Sequence, residues 1–216
     1  FWVDEIISVS PLLQSEDFPG PSQGPRDPPS LEALRNWLTA VENLAVSHKR
    51  YITGETGLKS CWRTLQANMT WEGYPLPTDW NLEERDLLES YLADDDDKHG
   101  TTSKPASSLW TDDQWIVYER TMSALKTTIA ERIYRTFCVS RSGYMGLVPA
   151  QSQAGNFICV FGGHTSPFVI RNASSTTHSV GGSERYQLVG ECYVNGIMGG
   201  EIVQDESRPS RDFLLV

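Results

Sequence analysis

The chain has 216 residues, 39% of them hydrophobic and 21% charged, with seven Trp, eight Tyr and seven Phe. That length admits one large domain or two small ones, and the aromatic content excludes wholesale disorder. A formal net charge of −10 repels phosphate backbones, and with His48-Lys49-Arg50 as the densest basic stretch, nucleic acid is excluded as a partner.

In chain order, Phe1 to Leu13 is an amphipathic piece that reads as the tail of a helix. The chain starts at Phe1 and not at Met, as a fragment or processed form does. Gln14 to Pro29 holds five prolines and two glycines and cannot keep regular structure. Residues 1–29 therefore read as an extended, Pro-rich N-terminal segment. Residues 30–133 read as a helical region. Ser30 is placed as an N-cap, followed by Leu31, Leu34, Leu38, Val41, Leu44 and Ala45 at helical spacing. A second helix spans Leu58 to Ala67, with Leu58, Cys61, Trp62 and Leu65 inward. After a Gly/Pro-rich loop, a third runs from about Trp80 to Leu92. Residues 94–108 form an acidic, polar loop. Thr111 and Gln114 make a capping box for a fourth helix, striped by Trp115, Tyr118, Met122, Leu125, Ile129 and Ile133.

At Tyr134 the apolar period changes from about 3.6 to 2, and residues 134–216 read as a small antiparallel β module. Its strands are Tyr134–Val139, Gly143–Leu147, Phe157–Phe161, Pro167–Arg171, Arg185–Val189 and Cys192–Val194. Short glycine turns with no intervening helices imply antiparallel pairing and a small barrel or rolled sheet. Gly143, Gly146, Gly190, Gly196 and Gly200 fit tight turns or close backbone approach. The fold class is thus α+β, an N-terminal helical layer packed on a C-terminal barrel.

The chemistry-bearing residues are sparse. Asp94–Asp97 lack the alternating ligand spacing of a calcium loop; they read as a solvated loop, although with Lys98 they also match an enteropeptidase site. Cys61, Cys138, Cys159 and Cys192 include no C-x-x-C pair, so a zinc ribbon or thioredoxin motif is excluded. They read as buried free thiols of a reducing compartment, with a disulfide as the alternative. No nucleophile elbow or phosphate loop is present, and a Cys–His dyad drawn from Cys159 or Cys192 with His164 or His178 places the thiol in apolar strands that disfavour a thiolate. Glu191 and Glu201 flank a glycine-rich seam. A buried Glu191 needs a cationic partner there, such as Arg135 or Arg171. No metal site, cofactor or membrane span is expected.

Four ordered blocks carry a family resemblance: Tyr144-Met145-Gly146-Leu147-Val148-Pro149, Gly155 to Phe161, Pro167-Phe168-Val169-Ile170-Arg171, and Tyr186 to Glu201. Together they resemble the C-terminal region of fungal heterokaryon-incompatibility (HET) proteins. Cys61-Trp62-Arg63-Thr64-Leu65 is similar to an upstream element of that family. The chain departs from the pattern at Val148, where Gly is usual, at Asn156, where Asp is usual, and at Asn195, where His is frequent. The hallmark of the HET domain itself is missing; Phe1 to Glu5 echo only its first residues. The resemblance implies a cytoplasmic fungal protein of nonself recognition and programmed cell death, and it brings no catalytic residues.

Two functional readings result. The first is a non-catalytic interaction or regulatory module with a protein partner. The second is a small-molecule-binding or catalytic domain with a pocket at the Gly190–Glu201 seam, drawing on Tyr144, Arg171, Glu191, Tyr193, Asn195 and Glu201.

Overall fold

The segments of period 2 assemble into one eight-stranded sheet. The computed structural model describes residues 1–12, 31–47, 50–69, 75–80, 82, 85–86, 116, 135–173, 184–204 and 210–216. The strands are β1 (Trp2–Val9), β2 (Arg135–Ser140), β3 (Met145–Pro149), β4 (Phe157–Val160), β5 (Pro167–Asn172), β6 (Arg185–Glu191), β7 (Tyr193–Val194) and β8 (Leu214–Leu215). Their order is β7-β3-β2-β1-β4-β5-β6-β8. Pairing is antiparallel except between β6 and β8, which run parallel, so the sheet is mixed where a purely antiparallel one was expected.

The sheet curls strongly, and the reason lies in its last long strand. Residues 185–194 are nearly continuous strand, interrupted only at Cys192. The first part pairs with β5, through Phe168↔Glu191 and Val169↔Gly190. The last part pairs with β3, through Leu147↔Tyr193 and Gly146↔Val194. One piece of chain thus joins both flanks of the sheet and brings it round on itself as a barrel does.

Phe1–Leu13 is not a helical tail. Its residues 2–9 form β1, hydrogen-bonded on both sides, with Ile6 opposite Ser140 of β2 and Asp4 opposite Ile158 of β4. Register shifts at Trp2/Asp4 and Ile6/Ser8 interrupt the alternation. The inward residues become Val3, Ile6 and Val9, a spacing of three that imitates a helical stripe. β-Branched side chains and two paired edges decide for strand.

Among the described residues two whole helices precede β2: α1 (Leu31–Val46) and α2 (Gly57–Leu65). Thr56 caps α2 by accepting a hydrogen bond from the Lys59 amide at 3.2 Å. α2 ends two residues before the expected Ala67, because Ala67 and Asn68 adopt positive φ (52° and 56°) and the Asn68 amide bonds back to the Arg63 carbonyl at 2.7 Å. A one-turn helix, α3 (Glu201–Gln204), follows β7. The expected helices at 80–92 and 111–133, the acidic loop 94–108 and the Ser30 cap lie almost entirely outside the described residues.

Three apolar clusters divide the sheet's surfaces. The concave interior holds Val3, Ile6, Cys138, Val148, Ile158, Val169 and Val194, with Ile202 of α3 beside them. On the outside of β2 and β3, Phe137, Val139, Met145 and Leu147 pack against Trp37, Leu38 and Val41 of α1 and Cys61, Trp62 and Leu65 of α2. On the outside of β4–β6, Cys159, Ile170 and Tyr186 are buried under half-buried Trp2, Phe157, Phe161, Phe168 and Phe213.

Candidate functional site

The seam from Gly190 to Glu201 is built by close backbone approach. A Cβ on Gly146 would lie 2.6 Å from the Tyr193 carbonyl oxygen, so only glycine lets β3 and β7 pair. Gly190 has φ of +155°, and a Cβ there would lie 2.9 Å from the Pro149 ring. It permits the strand to leave β5 and cross to β3. Gly143, Gly196 and Gly200 sit at φ of 90°, 84° and 89° in turns.

Of the six residues singled out, the structure separates four and brings two together. Glu191 and Tyr193 border a cavity of about 340 Å³ with Arg135, Leu147, Ser166 and Met198. Tyr144 is buried in the barrel interior. Asn195 is buried where the seam meets the residues before α2. Arg171 lies at a different opening, and Glu201 is exposed, its carboxylate accepting from the Gly199 amide at 2.9 Å. Glu191 corrects the buried-carboxylate expectation. Its side chain is exposed, and Arg135 donates to its backbone carbonyl and not to its carboxylate. Strand geometry explains this: Cys192 takes the inward position and turns Glu191 out.

Asn195 is the polar centre of the seam. Tyr51, from the α1–α2 connection, donates its hydroxyl to the Asn195 carbonyl at 2.7 Å and accepts the Met145 amide at 3.1 Å. The Asn195 amide donates to the Met145 carbonyl at 2.9 Å, and its Nδ2 reaches the Ser60 carbonyl at 3.4 Å. Burial pushes the Tyr51 phenol well above its ordinary range, which keeps the proton it donates. This clasp ties α2 to β3 and β7, and the sequence held no signal for the partner, 144 residues away.

The Cys61–Leu65 element has a structural explanation. Trp62 is 1% exposed and donates Nε1 to Glu42 at 2.8 Å. Arg63 is buried, pairs with Glu55 at 2.8 Å and donates to Asn68 and to the carbonyls of Leu76 and Pro77. It holds the 75–80 segment against α2.

All four cysteines are buried and free. Burial pushes the Cys138 and Cys159 thiols up to about 12 and raises Cys61 and Cys192 as well, so neutral thiols, not nucleophiles, fill these positions. His178 of the proposed dyad lies outside the described residues, and His164 lies against Phe161 and Phe168 on the outer face. Among the described residues no three His, Cys, Asp or Glu side chains are grouped to hold a metal ion. No described helix is long and apolar enough to cross a membrane.

A second opening of about 810 Å³ lies between the 153–156 turn and the β5–β6 hairpin. Its lining includes Gln153, Asn156, Arg171, Arg185, Gln187 and Val216, the last residue of the chain. Sequence reading singled out Arg171 but missed Arg185. The available signal was the hairpin pairing itself, which sets Arg171 opposite Gln187 and so puts Arg185 on the same face.

The family model described as the Het-6 beta-barrel domain matches residues 40–216. The heterokaryon incompatibility protein 6, OR allele, of Neurospora crassa is 36% identical over 78 residues. That alignment takes in 36% of this chain but 10% of the relative, so the chain spans about a tenth of the length of the curated relative it matches. No solved structure matches the chain. With the match covering most of its length and the sheet curled as a barrel requires, the chain belongs to the Het-6 beta-barrel domain family.

Proposed function

We propose that this chain is a non-catalytic interaction module of a cytoplasmic heterokaryon-incompatibility protein, working in nonself recognition and programmed cell death. The observation that carries this reading is how the family-like seam uses its polar groups. Asn195 bonds to Tyr51, Met145 and Ser60, and Glu201 accepts from the Gly199 amide in the turn before its own helix. These groups hold the barrel together and dock α2, and the helical layer acts as scaffold. The contact surface we assign is the outer face of β4–β6, where Trp2, Phe157, Phe161 and Phe168 stay half-buried. Aromatic side chains supply much of the energy of protein interfaces. The buried free thiols fit a reducing compartment.

The test is made in the native fungal host. Phe161→Ala with Phe168→Ala is introduced into the full-length gene, and cell death after fusion of incompatible strains is scored. Loss of the reaction with normal protein abundance supports the aromatic contact face; an unchanged reaction sinks it. One observation favours the alternative of a small-molecule or catalytic site: Glu191, Tyr193 and Arg135 do border the 340 Å³ cavity. Glu191→Gln with Tyr193→Phe separates the readings. Abolished cell death in a folded double variant favours the alternative, and retained cell death favours the interaction module.

A further inference from the structure

We propose that the 810 Å³ opening between the 153–156 turn and the β5–β6 hairpin binds a small molecule bearing an oxyanion, a phosphate or a carboxylate, held by Arg171 and Arg185. The opening lies at the mouth of the barrel. Val169 faces the interior cluster, and Arg171 is two residues further along the same face of β5. Its neighbours across the hairpin, Gln187 and Arg185, share that face. The volume falls within the range of roughly 300–1,000 Å³ usual for small-ligand pockets, and barrel mouths are a common location for them.

Two features point to an anion. First, Arg171 and Arg185 are diagonal cross-strand neighbours, a relation that sets their backbone positions about 7–8 Å apart. In a chain of net charge −10, neither forms an ion pair among the described residues. Arg171 donates Nε to the Gln187 side-chain oxygen at 3.0 Å. That bond orients its fork and leaves its terminal amino groups for a ligand, in the planar geometry that suits carboxylate and phosphate. Second, Asn156 is 4% exposed and nearly all its polar groups are committed. Its Oδ1 accepts the Gln153 amide at 3.1 Å, its own amide donates to the Gln153 carbonyl at 3.1 Å, and its carbonyl accepts the Ile6 amide at 2.8 Å. Only Nδ2, a donor, is left to the opening it lines.

The test is titration of the whole chain with inorganic phosphate and, separately, with succinate, at fixed ionic strength, followed by amide chemical shifts. Saturable shifts at residues 153–156, 171 and 185–187 with either probe support the proposal, and the tighter probe identifies the oxyanion class. Asn156→Asp keeps the Oδ1 acceptor and so the turn, while adding a charge; it should weaken binding at least 10-fold. Arg171→Gln with Arg185→Gln should abolish it. Arg141→Gln, at an exposed pair with Glu5, should leave it unchanged and controls for general charge effects. No saturable shift with either probe overturns the proposal. So does binding that survives both the Asn156→Asp and the double-arginine variants in proteins shown to be folded by circular dichroism.

Discussion

The outer surface of the sheet is treated in two ways. Over β2 and β3 it is covered by α1 and α2, and the contact is closed: Trp62 is 1% exposed, Val41 and Cys61 are fully buried. Over β4–β6 the cover is a short C-terminal stretch. There Phe213 stacks on Trp2 at 6.0 Å and Arg211 sits 4.2 Å from the Trp2 ring, while Phe157, Phe161 and Phe168 keep part of their surface in water. The first arrangement buries apolar area for stability. The second leaves aromatic area unburied, and apolar surface left in contact with water gains free energy when something else covers it.

Breaking the closed side should cost most. Trp62→Ala removes a core indole and its bond to Glu42, and should lower unfolding free energy by about 3–5 kcal/mol in urea titration; a loss under about 1 kcal/mol would mean that α2 does not bear on the sheet. Gly146→Ala comes next. Its Cβ meets a backbone oxygen that cannot swing aside, so β3 and β7 must part, at a cost of the order of 3 kcal/mol. The same variant should raise hydrogen exchange at Tyr193 and Val194 before that of β1. Equal exchange along the whole sheet would show the seam is not the site of the strain.

The thiols compare the two sides by pH. Their folded values lie above the ordinary thiol value, because burial disfavours the thiolate. Below about pH 9 both folded and unfolded thiols are protonated and the full stability is present. As pH rises from about 9 towards 12, the unfolded chain loses protons that the folded chain keeps, and stability falls by about 1.4 kcal/mol per pH unit for each thiol. Urea midpoints at pH 8 and pH 10 measure this, and Cys138→Ala should flatten the slope. A native-state labelling reagent should reach Cys159, under the aromatic side, before Cys61, under the helices; the reverse order would contradict the contrast. The smallest effect belongs to Arg211→Ala, at about 1 kcal/mol, the scale of a cation–π contact near the surface. It should speed Cys159 labelling more than it lowers stability.

Much of the barrel was legible because its rules are local. Strands from β2 to β7 follow period 2, and the glycines mark where backbones touch. β1 was not legible, since its bulges give Val3, Ile6 and Val9 a helical spacing and its partners lie beyond residue 135. β8 is two residues long and paired in parallel, which leaves no pattern to read. At the candidate sites the seam was visible as a segment, but its chemistry was not. Glu191 looked buried because its neighbours are apolar; which face it takes depends on Cys192 turning inward. Asn195 appeared only as a departure from a family pattern, and its partner Tyr51 sat in a loop with no periodicity. Arg185 becomes notable only once the hairpin register places it beside Arg171.

The strand that joins both flanks of the sheet is also made after both of the strands it bridges. β1 stands between β2 and β4, its nearest paired residue 129 positions away along the chain (Val9 with Cys138), and the ring cannot join until residue 194 is available. Such a topology has a high contact order and folds slowly, because long loops must close before any native pairing stabilises them. A nascent chain that has not reached Tyr193 presents β3 as an open edge, where other chains can pair with it. The order in which this barrel's strands are made therefore leaves the β3 edge open until the seam strand arrives to close it.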